Sequence, residues 1–77
     1  MIENTGVRRG QYYAQPSRLR PRPLVWTVCA IFRDSLEIPH ARLESLDEPN
    51  TFKTVSCAAL SNRRQYELLA EPQTEPA

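Results

Sequence analysis

The chain has 77 residues, is 40% hydrophobic, and carries ten basic against nine acidic side chains, a net charge of +1. That length allows one small domain, since a fold of about 60 residues buries only about 60% of its extended-chain surface. No segment approaches the ~20 apolar residues of a membrane span, and two cysteines, Cys29 and Cys57, are too few for a disulfide scaffold.

The small net charge hides a division along the chain. Residues 1–23 hold Arg8, Arg9, Arg18, Arg20 and Arg22 against Glu3 alone, net +4. Residues 24–77 hold eight acids against five bases, net −3. The first segment reads as a basic arm, followed by a body over residues 24–70 and an acidic tail over residues 71–77. Pro16, Pro21 and Pro23 interrupt any helix in the arm. RLRPRP favours extended or polyproline II backbone, because residues before proline avoid the α region. The arm is expected to be flexible unless a partner orders it, and the tail is expected to fray. The opening residues MIENTGVRRGQYY hold no apolar stretch of the kind that directs export, so a cytoplasmic setting with reduced thiols is expected. Cys29 and Cys57 lie in apolar runs and read as small buried hydrophobes.

The body opens with LVWTVCAIFR. Its β-branched and aromatic residues suit a pleated strand, and both of its faces are apolar, so the strand should be central or covered. Residues 34–39 turn the chain. Residues 40–46, HARLESL, alternate: Ala41, Leu43 and Ser45 share one face, while His40, Arg42 and Glu44 share a wet one. DEPNT then supplies Asp, Pro and Asn for a hairpin. Residues 52–60, FKTVSCAAL, begin as a third strand. CAALSNRR has Ala and Leu where a helix is preferred, so a short helical turn is expected to end near Asn62. QYELL, residues 65–69, reads as a last short strand with Tyr66 and Leu68 on one face. The expected core is Trp26, Val28, Phe32, Leu43, Val55, Leu60 and Leu68. A single helix over residues 54–69 packed on three strands is the alternative; Asn62 and the β-favouring Val55 and Tyr66 weigh against it.

Strand, strand, hairpin, strand, helical turn, short strand is the order of a small meandering β-barrel. The body resembles a Src-homology-3-like barrel that lacks its usual fifth strand, and Gln11, Tyr12 and Tyr13 could fold back to supply it. Barrels of this kind bind peptides, nucleic acids and subunits alike, so the resemblance does not name a function.

The chemistry-bearing residues are few. His40 is the only histidine, and a pair with either cysteine would place the thiol inside a strand, away from substrate. No close Cys or His pair offers structural-zinc spacing. Asp47 and Glu48 are adjacent in a turn, where Asp47 is expected to bond backbone amides. Gly6 and Gly10, both in the arm, form no phosphate-cradling motif. No catalytic residue, cofactor, metal or small-molecule substrate is expected.

The arm remains. Arg8, Arg9, Arg18, Arg20 and Arg22 are interleaved with Tyr12 and Tyr13 and contain no lysine, which favours forked recognition of phosphate and stacking on bases. Arg63 and Arg64 form a second basic spot after the helical turn. It could extend the arm's surface or simply answer the turn's C-terminal dipole. The expectation is a non-enzymatic module whose arm contacts RNA or DNA, with no membrane partner. The alternative is a protein-interaction module, docking on an acidic surface through the Pro-rich arm or through a strand edge. Self-association is possible on the same charge argument, because the arm could also lie as a basic strap on the acidic body of its own or a neighbouring copy.

Overall fold

In the computed structural model, residues 6–71 are described. They form five strands and one short helix: β1 Tyr12–Gln15, β2 Leu24–Arg33, β3 Pro39–Ser45, β4 Phe52–Ser56, α1 Cys57–Leu60 and β5 Glu67–Ala70. All pairings are antiparallel, and the strands lie in one sheet in the order β4-β3-β2-β1-β5. The sheet is open. β4 and β5 are its two edges, and among the described residues no ladder joins them.

β1 contains Tyr12 and Tyr13 of the segment that could fold back onto the body, with Gln11 just ahead of it. It is an interior strand, with β2 on one side and β5 on the other. Val7, Gln11, Tyr13 and Ala14 are all at least 95% buried, so the packed body includes residues 7–15, which the sequence reading set outside it. Gly10, at φ 88°, makes the turn that admits the chain, a conformation that costs an L side chain dearly. Its N–H then bonds Val28 O at 2.9 Å, and Val28 N–H bonds Gln11 O at 3.0 Å, extending the β1–β2 pairing.

The long strand β2 explains an error in the expected core. Val28 pairs Leu43, but Ala30 pairs Arg42 and Ile31 pairs Ala41, so the register shifts around Cys29. One extra residue reverses which side chains face inward. Trp26, Val28 and Ile31 therefore share the inner side. Phe32 turns to the outer surface, where it is 44% exposed and stacks on His40 with ring centroids 5.7 Å apart. Leu68 is a second correction. It pairs Tyr13, yet among the described residues no further strand lies beyond this edge, and it is 45% exposed. Trp26, Val28, Leu43 and Leu60 are buried as expected, and Val55 packs against them.

The turns follow from single side chains. Asp34 Oδ1 accepts the N–H groups of Leu36 at 2.8 Å and Ile38 at 3.0 Å, which closes the β2–β3 connection with Glu37 at φ 64°. Ser45 Oγ accepts from Asp47 and Glu48 N–H to start the β3–β4 hairpin, and Asn50 takes φ 59°. Ser56 caps α1 by accepting Ala59 N–H at 3.0 Å. The helix ends at Leu60, slightly earlier than expected, and the last strand begins at Glu67 rather than residue 65. Asn62 O then receives the Gln65 and Tyr66 N–H groups, both at 2.9 Å. That tight loop turns Tyr66 into the core while Arg63 and Arg64 stay exposed.

Side chains bridge what the backbone leaves open. Lys53 points inward from edge strand β4, and its Nζ lies 4.4 Å from the Trp26 ring centroid and 5.1 Å from that of Tyr66, just ahead of β5. The same Nζ donates to Gln15 Oε1 on β1 at 2.7 Å. One lysine thus ties β4 to β2, β1 and the approach to β5, while an inward charge also guards the β4 edge against pairing with another chain.

Candidate functional site

Register places three connections at one end of the sheet. Residues 16–23 join Gln15 to Leu24, which pair each other; residues 46–51 follow Ser45, which pairs Trp26; residues 61–66 lead into Glu67, which pairs Ala14. Arg18, Arg20 and Arg22 are exposed on the first connection, and Arg63 and Arg64 on the third. Pro16 lines a groove of about 580 Å³ together with Arg63, and a smaller adjoining depression together with Arg20. The fold thus brings together two basic stretches some forty residues apart in the chain.

Arg8 and Arg9 are not part of this assembly. They precede β1 and sit at its other end, separated by a four-residue strand of about 13 Å at ~3.3 Å per residue. Arg8 is also engaged, with Nη2 3.3 Å from Glu71 Oε2. Tyr12 is 38% exposed on the outer face beside Thr27. Tyr13 is 5% exposed, so its ring offers no face to a base. Its hydroxyl donates to Gln11 Oε1 at 3.0 Å. Burial, with smaller contributions from the Glu71 charge and Cys57, raises its pKa above the usual tyrosine value.

Gln11 was not among the sequence candidates, and it is 1% exposed. Its amide oxygen accepts from Arg8 N–H at 2.7 Å and from Tyr13. Its amide nitrogen donates to Gly6 O at 3.1 Å and Glu71 Oε2 at 3.0 Å. Nothing in a lone glutamine after a glycine announces this role.

Carboxylates at the arginine end are partly committed. Asp47 Oδ2 accepts Val25 N–H at 3.3 Å, and Glu48 Oε1 lies 3.6 Å from Arg20 Nη2. The Arg20–Glu48 and Arg8–Glu71 pairs show how the charge division is used within one copy: one base of the N-terminal segment rests on an acid of the body and another on the first residue of the acidic tail. Both pairs are about half exposed and each contributes little to stability, about 0–1 kcal/mol. Lys53 adds a sixth cation here. Its alternation with Val55 marks it as an inward position, which is the one signal of it in the sequence.

The thiols and the imidazole are engaged elsewhere. His40 Nε2 lies 2.8 Å from Asp34 Oδ2; that bond first, then the Ile38 and Leu36 amides, hold the Asp34 carboxyl below its ordinary pKa. Cys29 Sγ donates to Arg42 O at 3.2 Å. Cys57 is fully buried, and burial pushes its thiol pKa up. Ser56 stands opposite His40, but its hydroxyl oxygen is the cap of α1. Among the described residues no group of three or more His, Cys, Asp or Glu could hold a metal ion, and no helix is long and apolar enough to cross a membrane.

No protein-family model matches the chain, and no curated protein or solved structure is significantly similar to it.

Proposed function

We propose that this protein is a non-enzymatic binding module whose arginine end contacts the phosphate backbone of nucleic acid, on a scaffold that is a partly open Src-homology-3-like barrel. The scaffold reading rests on the strand order, the helical turn ahead of β5, and the inner-face bridge from Lys53 to Gln15 and Tyr66. The functional reading rests on one observation above all: Arg63 and Arg64 share an end of the sheet with Arg18, Arg20 and Arg22. Counting Lys53, six cations there face Asp47, Glu48 and Glu67. Guanidinium groups fork onto phosphate oxygens, and the 16–23 loop is turned rather than extended as RLRPRP suggested: Ser17 Oγ accepts the Leu19 N–H at 3.2 Å, and Arg18, Arg20 and Arg22 are exposed around that turn. The body's net negative charge confines such contact to this end and disfavours wrapping of a long duplex.

A protein partner is the second reading. It is favoured by the groove beside β5, whose walls include Tyr13, Leu60, Tyr66 and Leu68, and by the exposure of Leu68 and Leu69 next to it.

Fluorescence anisotropy with labelled RNA and DNA oligonucleotides, single- and double-stranded, separates the two. The nucleic-acid reading expects binding at low salt that weakens steeply as salt rises. Unchanged anisotropy for every oligonucleotide at low salt removes it.

A further inference from the structure

Lys53 is more than a brace. It occupies an inner-face position of β4, opposite Leu43, where an apolar residue would be the ordinary choice. Lys53 is half-buried, its ammonium held by the faces of Trp26 and Tyr66 and, among the described residues, by a single acceptor, Gln15 Oε1. That oxygen also takes the Trp26 Nε1–H at 3.0 Å, so its two lone pairs are both in use. An ammonium has three N–H donors, and Gln15 satisfies one. The rings attract the charge without neutralising it. Among the described residues no carboxylate lies within ion-pair distance of Nζ.

Position gives this charge a use. Gln15 precedes the loop bearing Arg18, Arg20 and Arg22, and Tyr66 lines the same groove as Arg63. The acids nearest in the chain, Asp47 and Glu48, are occupied by Val25 N–H and Arg20. A cation fixed in direction, lacking a carboxylate and sharing its end of the sheet with exposed arginines, is pre-organised for an oxyanion.

We propose that Lys53 Nζ is the seat for one phosphate group at the arginine end, with Arg63 and Arg20 closing on it from the flanking loops. The proposal rests on the nucleic-acid reading for its source of phosphate, and the shared chemistry is that of a phosphodiester or of free inorganic phosphate.

Trp26 is the chain's only tryptophan and lies beneath the ammonium, so its emission reports occupation of the seat. The experiment titrates an oligouridylate of about 12 nucleotides, a length within the 4–16 that small β domains cover, and separately sodium phosphate against sodium chloride of equal ionic strength. Lys53→Met keeps most of the stem while removing the charge, and Lys53→Arg keeps the charge. Thermal melts show which variants fold. With oligouridylate, the wild-type emission should change on binding. Lys53→Met should bind about five- to tenfold more weakly, with the slope of log K against log salt reduced by about 0.7, one single-strand contact. Lys53→Arg should restore that slope. If Lys53→Met is folded and binds with unchanged affinity and slope, Lys53 is only an internal brace and the seat is overturned, while the nucleic-acid reading stands. If the wild type binds no oligonucleotide, that reading falls and the phosphate arm decides: a Lys53-dependent change in Trp26 emission upholds an oxyanion seat, and none overturns it.

Discussion

The two halves of the basic N-terminal segment, residues 6–15 and residues 16–23, have opposite fates. Residues 6–15 enter the protein: Val7 and Gln11 are at most 1% exposed, and Tyr13 and Ala14 form an interior strand. Residues 16–23 stay on the surface, with Leu19 94% exposed between Arg18 and Arg20. Both carry arginine, so charge does not separate them. What does is the backbone. Gly10 lets the first half turn onto β2 and pair, whereas Pro16, Pro21 and Pro23 deny the second half the donors a ladder needs.

This difference is sharpest in stability. Tyr13→Ala should destabilise by about 3–5 kcal/mol in denaturant unfolding, the cost of emptying an aromatic site in a core. Leu19→Ala should stay within about 0.5 kcal/mol of wild type. Equal effects would break the comparison. Gln11→Ala follows, with a loss of about 1–3 kcal/mol, because Arg8 N–H, Gly6 O and the Tyr13 hydroxyl lose their shared partner; a neutral substitution would mean that the 6–11 turn is held by its backbone alone.

The smallest effect is electrostatic and lies outside both halves. The folded Asp34 carboxyl titrates below its unfolded value, chiefly through His40. The stabilisation is therefore complete above the unfolded carboxylate pKa, about 4, and is lost as pH falls through the lower folded value. The urea midpoint of the wild type should drop across that window, and Asp34→Asn should flatten that part of the drop. An identical pH profile in the variant would show that the β2–β3 turn does not depend on this charge.

How much of this is legible in the sequence depends on how local each cause is. The alternation of Ala41, Leu43 and Ser45 predicts β3, and DEPNT predicts its hairpin, because side-chain period and turn chemistry act over a few residues. The CAAL turn is legible for the same reason. Phe32 is not, since the register shift at Cys29 arises in pairing with Arg42 and Ala41 and leaves no mark in composition. Leu68 fails because alternation tells which side a residue faces, not whether anything covers that side. At the candidate site, Arg18, Arg20, Arg22, Arg63 and Arg64 are visible as charge, but their common location follows from β5 returning beside β1. Lys53 and Gln11 are the least visible, because their significance lies in partners distant in the chain.

The central claim is that the surface half of the segment, and not the buried half, carries the anion contact. The most direct test measures the salt dependence of oligonucleotide affinity for two variants, Arg18→Ala/Arg20→Ala/Arg22→Ala and Arg8→Ala/Arg9→Ala. The triple variant should flatten the slope of log K against log salt by about 2, at ~0.7 per single-strand contact, while the double variant should leave it near that of wild type. A slope unchanged in the triple variant, or reduced as much by losing Arg8 and Arg9, would contradict it.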